Sequence, residues 1–387
     1  MRIYSLKEAD VKGRRVMVRA DFDVPLRSGK VADEFRIRET LPTFRWIAAH
    51  GGMIRIVTHL GRPEGMSPAK FSLKKIAPLL ERLLNKPVTF VADPFDRSAL
   101  KKYGMDGSVL LFENIRFWAG EERGDSTFAE ALARWGDLYV NEAFANSHRA
   151  HASMTLLPKL LSSYAGFHLE RELRHLGALT ERPKRPFVVI VGGAKLETKL
   201  PLIMRFLEQA DRVLVGGALA NALLSLRGIA MGIVPPFTGT LTKEELHTLK
   251  TNEKLCVPED VVAAKSMTGR RSGRITDPEG MDPREYALDI GPATAASFGV
   301  HLKRARTVLW NGPLGYAEAA TFAAGTRRIA EILSRVKAYK VVGGGDTIGI
   351  LQKYRLLKGF SHVSTGGGAL LQFLSGEKLA GVEALKR

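Results

Sequence analysis

The sequence has one cysteine, Cys256. That excludes a disulfide framework and a zinc site built from several thiolates, and it fits a reducing compartment. Long apolar runs are missing as well. The longest weakly polar stretch, Val213 to Leu226, holds Asn221 and two glycines and is too short to cross a bilayer. Met1 to Lys7 runs quickly into charge and has no apolar signal core, so the expectation is a soluble, cytoplasmic protein without membrane partners. Three active-site signatures are absent: G-x-x-x-x-G-K-[ST], G-x-G-x-x-G and G-x-S-x-G. Their absence excludes a P-loop enzyme, an ordinary Rossmann dehydrogenase and a nucleophile-elbow hydrolase; the protein-kinase set is missing too.

What is present is apolar content and positive charge. Of 387 residues, 45% are hydrophobic, enough for large cores and against disorder. Lysine and arginine number 58 against 40 acids, a net charge of +18. Such a balance suits phosphates, nucleic acid or another anionic partner. The excess is spread along the chain: residues 1–165 carry net +7 and residues 166–387 net +11. Local clusters such as Lys303-Arg304-Ala305-Arg306 and Arg270-Arg271-Ser272-Gly273-Arg274 do not alternate with aromatics, as a platform for single strands would. Nucleic acid is therefore not expected to be required for the main function.

A short apolar run followed by a glycine-rich or charged turn recurs along the chain. Arg15–Asp21, Met53–His59, Val109–Asn114 and Asp137–Glu142 are examples in the first half. Phe187–Gly193, Arg212–Gly217, Thr307–Gly312, Lys340–Gly345 and His362–Gly366 continue the pattern in the second. Runs without alternation fit strands buried on both faces. Helical stretches between them, such as Ser72 to Leu84 and Thr321 to Val336, predict βα units and doubly wound parallel sheets in both halves. Leucines at 169, 173 and 176 predict a helix over Phe167 to Thr180, and Pro183 and Pro186 end it.

Ligands of open parallel sheets sit at the carboxyl ends of the strands. In the first half those ends carry Asp21, Asp23, His59, Arg62, Arg116 and, slightly beyond, Arg149, with Arg36 a further candidate for an anion pocket. Arginine grips carboxylate and phosphate through a bidentate fork. Asp21 and Asp23 could serve as an acid–base pair or accept hydrogen bonds from a hydroxylated substrate. His148 and His151 are only a weak metal pattern. In the second half the ends carry Gly192-Gly193-Ala194-Lys195, Gly343-Gly344-Gly345-Asp346-Thr347 and Gly366-Gly367-Gly368. Each loop either cradles phosphate at a helix start or is simply a tight turn. Lys195 and Lys199, four apart, would share one helix face and repel each other unless a polyphosphate lies against them. Asp346 could hold Mg²⁺ or cap the following helix.

Taken in order, these segments resemble the phosphoglycerate kinase family. The matching motifs are Val18-Arg19-Ala20-Asp21-Phe22-Asp23-Val24-Pro25, His59-Leu60-Gly61-Arg62-Pro63, Glu113-Asn114-Ile115-Arg116-Phe117 and His148-Arg149-Ala150-His151. They continue with Gly192-Gly193-Ala194-Lys195, Trp310-Asn311-Gly312-Pro313-Leu314-Gly315, Gly343 to Thr347 and Ser364 to Gly368. The resemblance runs from Asp21 to the carboxyl terminus.

It implies an α/β protein with two Rossmann-like domains joined by a hinge helix. The first domain would be residues 1–165 plus 371–387, the hinge 166–180 and the second domain 181–370. It implies Mg²⁺-dependent, reversible transfer of the acyl phosphate of 1,3-bisphosphoglycerate to ADP, giving 3-phosphoglycerate and ATP, by a monomer. The triose would lie on Asp21, Phe22, Asp23, Arg36, His59, Leu60, Gly61, Arg62, Arg116 and Arg149. The nucleotide would lie on Gly193, Lys195, Lys199, Gly217, Asn311, Pro313, Glu318, Gly344, Gly345, Asp346 and Thr347, with Asp346 on the metal and Glu318 on the ribose hydroxyls. Arg36, Lys199 and the amides of Gly367 and Gly368 would stabilise the phosphoryl group in flight. Asp23 stands where the family usually has Asn, and a carboxylate there should weaken triose binding unless it faces a cation. Glu142 replaces the usual Asp. The alternative is a catalytically weakened family member that binds an anionic partner through its basic surface.

Overall fold

The structure is a computed structural model that describes residues 2–63, 69–103, 105, 107–268 and 273–387. Residues 270–272 of the second basic cluster lie outside the described residues. The chain forms two compact units, Met1–Arg174 with Gly376–Arg387, and His175–Ser375. The division falls within the helix Phe167–Thr180.

Each unit is built on a six-stranded parallel sheet. In the first the spatial order is Val88–Val91, Val109–Phe112, Met53–Val57, Arg15–Arg19, Leu138–Asn141, Ser162–Ala165. In the second it is Leu255–Cys256, Arg212–Val215, Phe187–Val191, Thr307–Asn311, Tyr339–Gly343, His362–Ser364. Strands such as Phe187–Val191 and Thr307–Asn311 are buried at every position, as a sheet covered on both faces requires. The helix Leu196–Gln209 packs its face of Leu196, Leu200, Ile203, Phe206 and Leu207 inward, at the i, i+4, i+7 spacing of an amphipathic helix. A small antiparallel sheet of Val261–Ala264, Arg274–Thr276 and Tyr286–Ile290 is added to the second unit.

Both sheets have the same winding. The first strand in the chain lies in the middle, the next goes to one side, and a later strand returns to the other. Such a reversal opens a crevice at the carboxyl ends of the two central strands. In the first unit that crevice follows Arg15–Arg19 and Leu138–Asn141. In the second it follows Phe187–Val191 and Thr307–Asn311. Gly192 and Gly312 meet there so closely that a Cβ on Gly192 would stand 2.0 Å from the Pro313 carbonyl oxygen, and one on Gly312 2.1 Å from that of Gly192. No side chain fits at either position.

Candidate functional site

In the second unit the crevice widens into a cavity of about 270 Å³. Lys195, Lys199, Asn311, Pro313, Gly193, Gly344, Asp346 and Thr347 line it, together with Thr198 and Gly312. Lys195 caps the helix Leu196–Gln209, so both lysines stand at one helix start, as their spacing predicted. Gly344 caps Gly345–Lys353, which places a second helix start with Asp346 in its first turn. Unbonded N–H groups and the positive dipole ends of both helices thus meet the lysines at one cavity, which favours an anion.

Polar contacts hold this arrangement in shape. The Lys199 ammonium donates to Asn311 Oδ1. Burial lowers its pKa to about 8, against the opposing pull of the Asp346 carboxylate. Thr347 Oγ1 accepts from the Gly312 amide at 3.0 Å, and Trp310 Nε1 donates to the Gly312 carbonyl at 2.8 Å. Trp310 is wholly buried, so its ring fixes the turn after the strand. Gly217 lies behind the cavity, its amide on the Leu314 carbonyl at 2.8 Å. Gly345 lies between two lining residues. Glu318 is exposed in a turn and does not line the cavity; Gly367 and Gly368 begin the helix Gly367–Leu374 after the edge strand His362–Ser364 and do not line it either.

The crevice of the first unit collects cations. Arg36 Nη1 donates to Asp21 Oδ2 at 2.6 Å. Arg116 Nη1 donates to the Gly61 carbonyl at 2.9 Å, and the Gly61 amide donates to Asp23 Oδ1 at 2.9 Å. His59 Nε2 lies 3.9 Å from Asp23 Oδ2. Phe22 and Leu60 are core residues beneath this rim, Arg149 is half-buried and Arg62 is exposed. Asp23 therefore faces Gly61 and the positive field of Arg116, which in turn feels its charge.

Sequence reasoning did not single out Arg19, nor place His151 and Glu121 beside the pocket. Arg19 is fully buried, with Nε donating to Ser153 Oγ at 2.8 Å and Nη1 to the Ala20 carbonyl at 2.5 Å. Ser153 donates in turn to Glu121 at 2.6 Å. Burial and the charges of Arg19, Arg116 and Arg36 hold His59 well below its ordinary pKa. Burial, Arg116, Arg19 and Arg149 bring His151 down to about 3. Arg116 itself is lowered to about 10 by burial, Arg19 and Arg149. Among the described residues, Arg19 Nη2, His59 Nδ1, His148 Nδ1 and His151 Nδ1 are buried without hydrogen-bond partners. Concentrated cations that keep their neighbouring imidazoles neutral make a pocket suited to an anion. The only sequence signals were Arg19 at a strand end and the two histidines flanking Arg149.

Residues 6–377 match the sequence profile of the family described as phosphoglycerate kinase. The chain belongs to the phosphoglycerate kinase family. A phosphoglycerate kinase of Coprothermobacter proteolyticus is 39% identical over all of this chain and 99% of its own length. One from Pelotomaculum thermopropionicum is 40% identical, with 98% of each chain covered. The phosphoglycerate kinase structure from Coxiella burnetii superimposes with a TM-score of 0.84 at 32% identity, covering 99% of both chains. Phosphoglycerate kinases are glycolytic kinases that move phosphate between 1,3-bisphosphoglycerate and ADP, and this chain is an enzyme of that kind.

Proposed function

We propose that the first unit's cationic crevice binds the triose and the second unit's cavity binds the nucleotide. The observation that carries this reading is the glycine-walled cavity at the second crevice, where Lys195, Lys199 and two helix starts converge with Asp346. Polyphosphate would cancel the repulsion between the lysines and satisfy the helix amides. Asp346 is a hard oxygen donor among these groups, and nucleotide-bound Mg²⁺ needs only one or two carboxylates. That fits a magnesium ion held by Asp346; when bound, the ion neutralises charge on the phosphate oxygens. Gly193, Gly217, Asn311, Pro313, Gly344, Gly345 and Thr347 shape the slot, and Glu318 would take the ribose hydroxyls.

On the triose side, Arg36, His59, Arg62, Arg116 and Arg149 would bind the carboxylate and phosphate, and Asp21 and Asp23 the hydroxyl. The acceptor is a carboxylate, which needs no deprotonation, so no general base is required. The neutral state of His59 and His151 agrees with that chemistry. Catalysis then consists of positioning and charge stabilisation. Arg36 and Lys199 would oppose the charge on the phosphoryl group in flight, with the Gly367 and Gly368 amides as further donors. The reading extends to a monomer working in the cytoplasm.

A coupled assay with 3-phosphoglycerate and MgATP, run with and without Mg²⁺, tests the reaction. Arg36→Ala tests the role. Removing one transition-state donor typically costs about 10²–10³ in kcat. We expect a loss of that order with nucleotide affinity unchanged; a near-normal kcat would sink the assignment.

A further inference from the structure

Neither crevice uses the cations at the amino edge of the second sheet, the edge opposite the nucleotide cavity. Arg212 opens its strand, Arg185 precedes Phe187–Val191 by two residues, Arg306 precedes Thr307–Asn311 by one, and Lys337 precedes Tyr339–Gly343 by two. Backbone bonds tie these starts side by side. The Asp211 amide donates to the Phe187 carbonyl at 2.8 Å, the Arg306 amide to that of Pro186 at 2.8 Å and the Tyr339 amide to that of Arg306 at 2.9 Å. Neighbouring strands are about 4.8 Å apart, so the cations form a row about 15 Å long.

Lys303 and Arg304 end the helix Pro292–Arg304, and Arg335 ends Ala324–Arg335, at the same edge. Asp211 pairs with Arg185 at 2.7 Å. Among the described residues, Lys184, Lys303, Arg304, Arg306, Arg335 and Lys337 have exposed side chains with no ion-pair or hydrogen-bond partner. Their field is felt locally: burial, then the charges of Arg212 and Arg304, hold the His301 imidazole below its ordinary range.

The ordinary explanation is that cations complement helix carboxyl ends. Four helices lead into these strands and end at this edge, Phe167–Thr180, Leu196–Gln209, Pro292–Arg304 and Ala324–Arg335. At about −0.5 each they present roughly −2. Six unpartnered cations leave a clear surplus, and three of them are arginines, whose forks match phosphate.

We propose that this edge is a binding surface for the phosphate backbone of a nucleic acid duplex, held without reading of bases. The edge is rich in arginine, and beside the partnered Arg185 and Arg212 it carries six cations without partners. A duplex carries one negative charge per about 1.7 Å of its axis, denser than a single strand, and so answers this surplus of cations best.

The test is fluorescence anisotropy with a labelled 20-base-pair duplex, in the presence of saturating MgADP so that the nucleotide cavity is filled. The intact protein should bind with a micromolar Kd at low salt, and log affinity should fall linearly with log salt. The triple variant Arg304→Ala, Arg306→Ala, Lys337→Ala should bind at least tenfold more weakly, with a salt slope shallower by about two to three, while Tm and kinase activity at 0.15 M salt are retained. Unchanged duplex binding in that variant overturns the proposal. So does tighter binding of phosphatidylserine vesicles than of the duplex, if the variant abolishes it, because the edge would then be a membrane surface.

Discussion

Lys199 sits where its charge is both needed and costly. Burial has already brought its pKa to about 8, so at pH 7 the cation dominates and above pH 8 it is lost. A group that must be protonated gives an alkaline limb in kcat/KM. For the nucleotide, kcat/KM should fall about tenfold per pH unit above about 8. Arginine stays charged throughout, so Lys199→Arg should lose that limb whatever its absolute rate; a pH–rate profile with the limb still in place would remove Lys199 from the role. Asp23 is a second residue at which charge decides. Its carboxylate accepts from the Gly61 amide and is felt by Arg116, so it is partly offset, yet its side chain is 44% exposed toward the crevice. Asparagine keeps an acceptor for Gly61 and removes the repulsion from an anionic substrate. A unit charge at about 4 Å in water is worth about 1 kcal/mol, or about fivefold. Asp23→Asn should lower KM for 3-phosphoglycerate by that order at near-constant kcat; a raised KM would contradict this.

The helix Phe167–Thr180 starts on Glu142. That carboxylate accepts from the amides of His168 at 2.9 Å and Leu169 at 3.1 Å and from the Thr43 hydroxyl, and Gly166 leaves it room. Burial raises Glu142 to about 7, and Glu39, Glu172 and Glu142 raise His168 despite its burial and nearby Arg171. Both groups bind protons more tightly folded than unfolded. The share of Glu142 is therefore present at mildly acidic pH and lost as pH rises through about 7, and that of His168 is lost as pH rises above the ordinary imidazole range. Glu142→Gln removes the carboxyl's share, so its stability relative to the native chain should improve between pH 6 and pH 8.5, read by urea melts; a pH-independent difference would show that Glu142 does not titrate there. The helix itself was legible in the sequence, because Leu169, Leu173 and Leu176 keep a helical period and prolines follow. So were the central strands, whose apolar runs are long. The short edge strand Val88–Val91 was not, nor the small antiparallel sheet, since in such short strands the partners decide as much as their own composition. The crevice cations and glycine loops followed from the rule of strand ends. Arg19, Glu121 and His151 did not, because their part depends on burial and, for Arg19 and Glu121, on pairing with Ser153 from 134 and 32 residues away.

Across the whole chain the charge is +18, and only some of it lies where substrates would bind. Range decides what the remainder can do. Screening acts over about 8 Å at 0.15 M salt and about 30 Å at 0.01 M. The amino edge of the second sheet is separated from the nucleotide cavity by the length of the strands, about 16 Å for five residues. Cations at that edge are therefore screened from an incoming nucleotide at physiological salt and exert a field on it only when salt is low. The triple variant at Arg304, Arg306 and Lys337 should leave kcat/KM for ADP within about twofold at 0.15 M and lower it at 0.01 M, while Lys195→Ala should lower it at both. If the triple variant lost as much at 0.15 M as at 0.01 M, the edge would act on the site by changing its structure rather than through its field. An unchanged value at both would confine steering to the cavity's own lysines and helix ends, and leave the edge cations with no part in substrate capture.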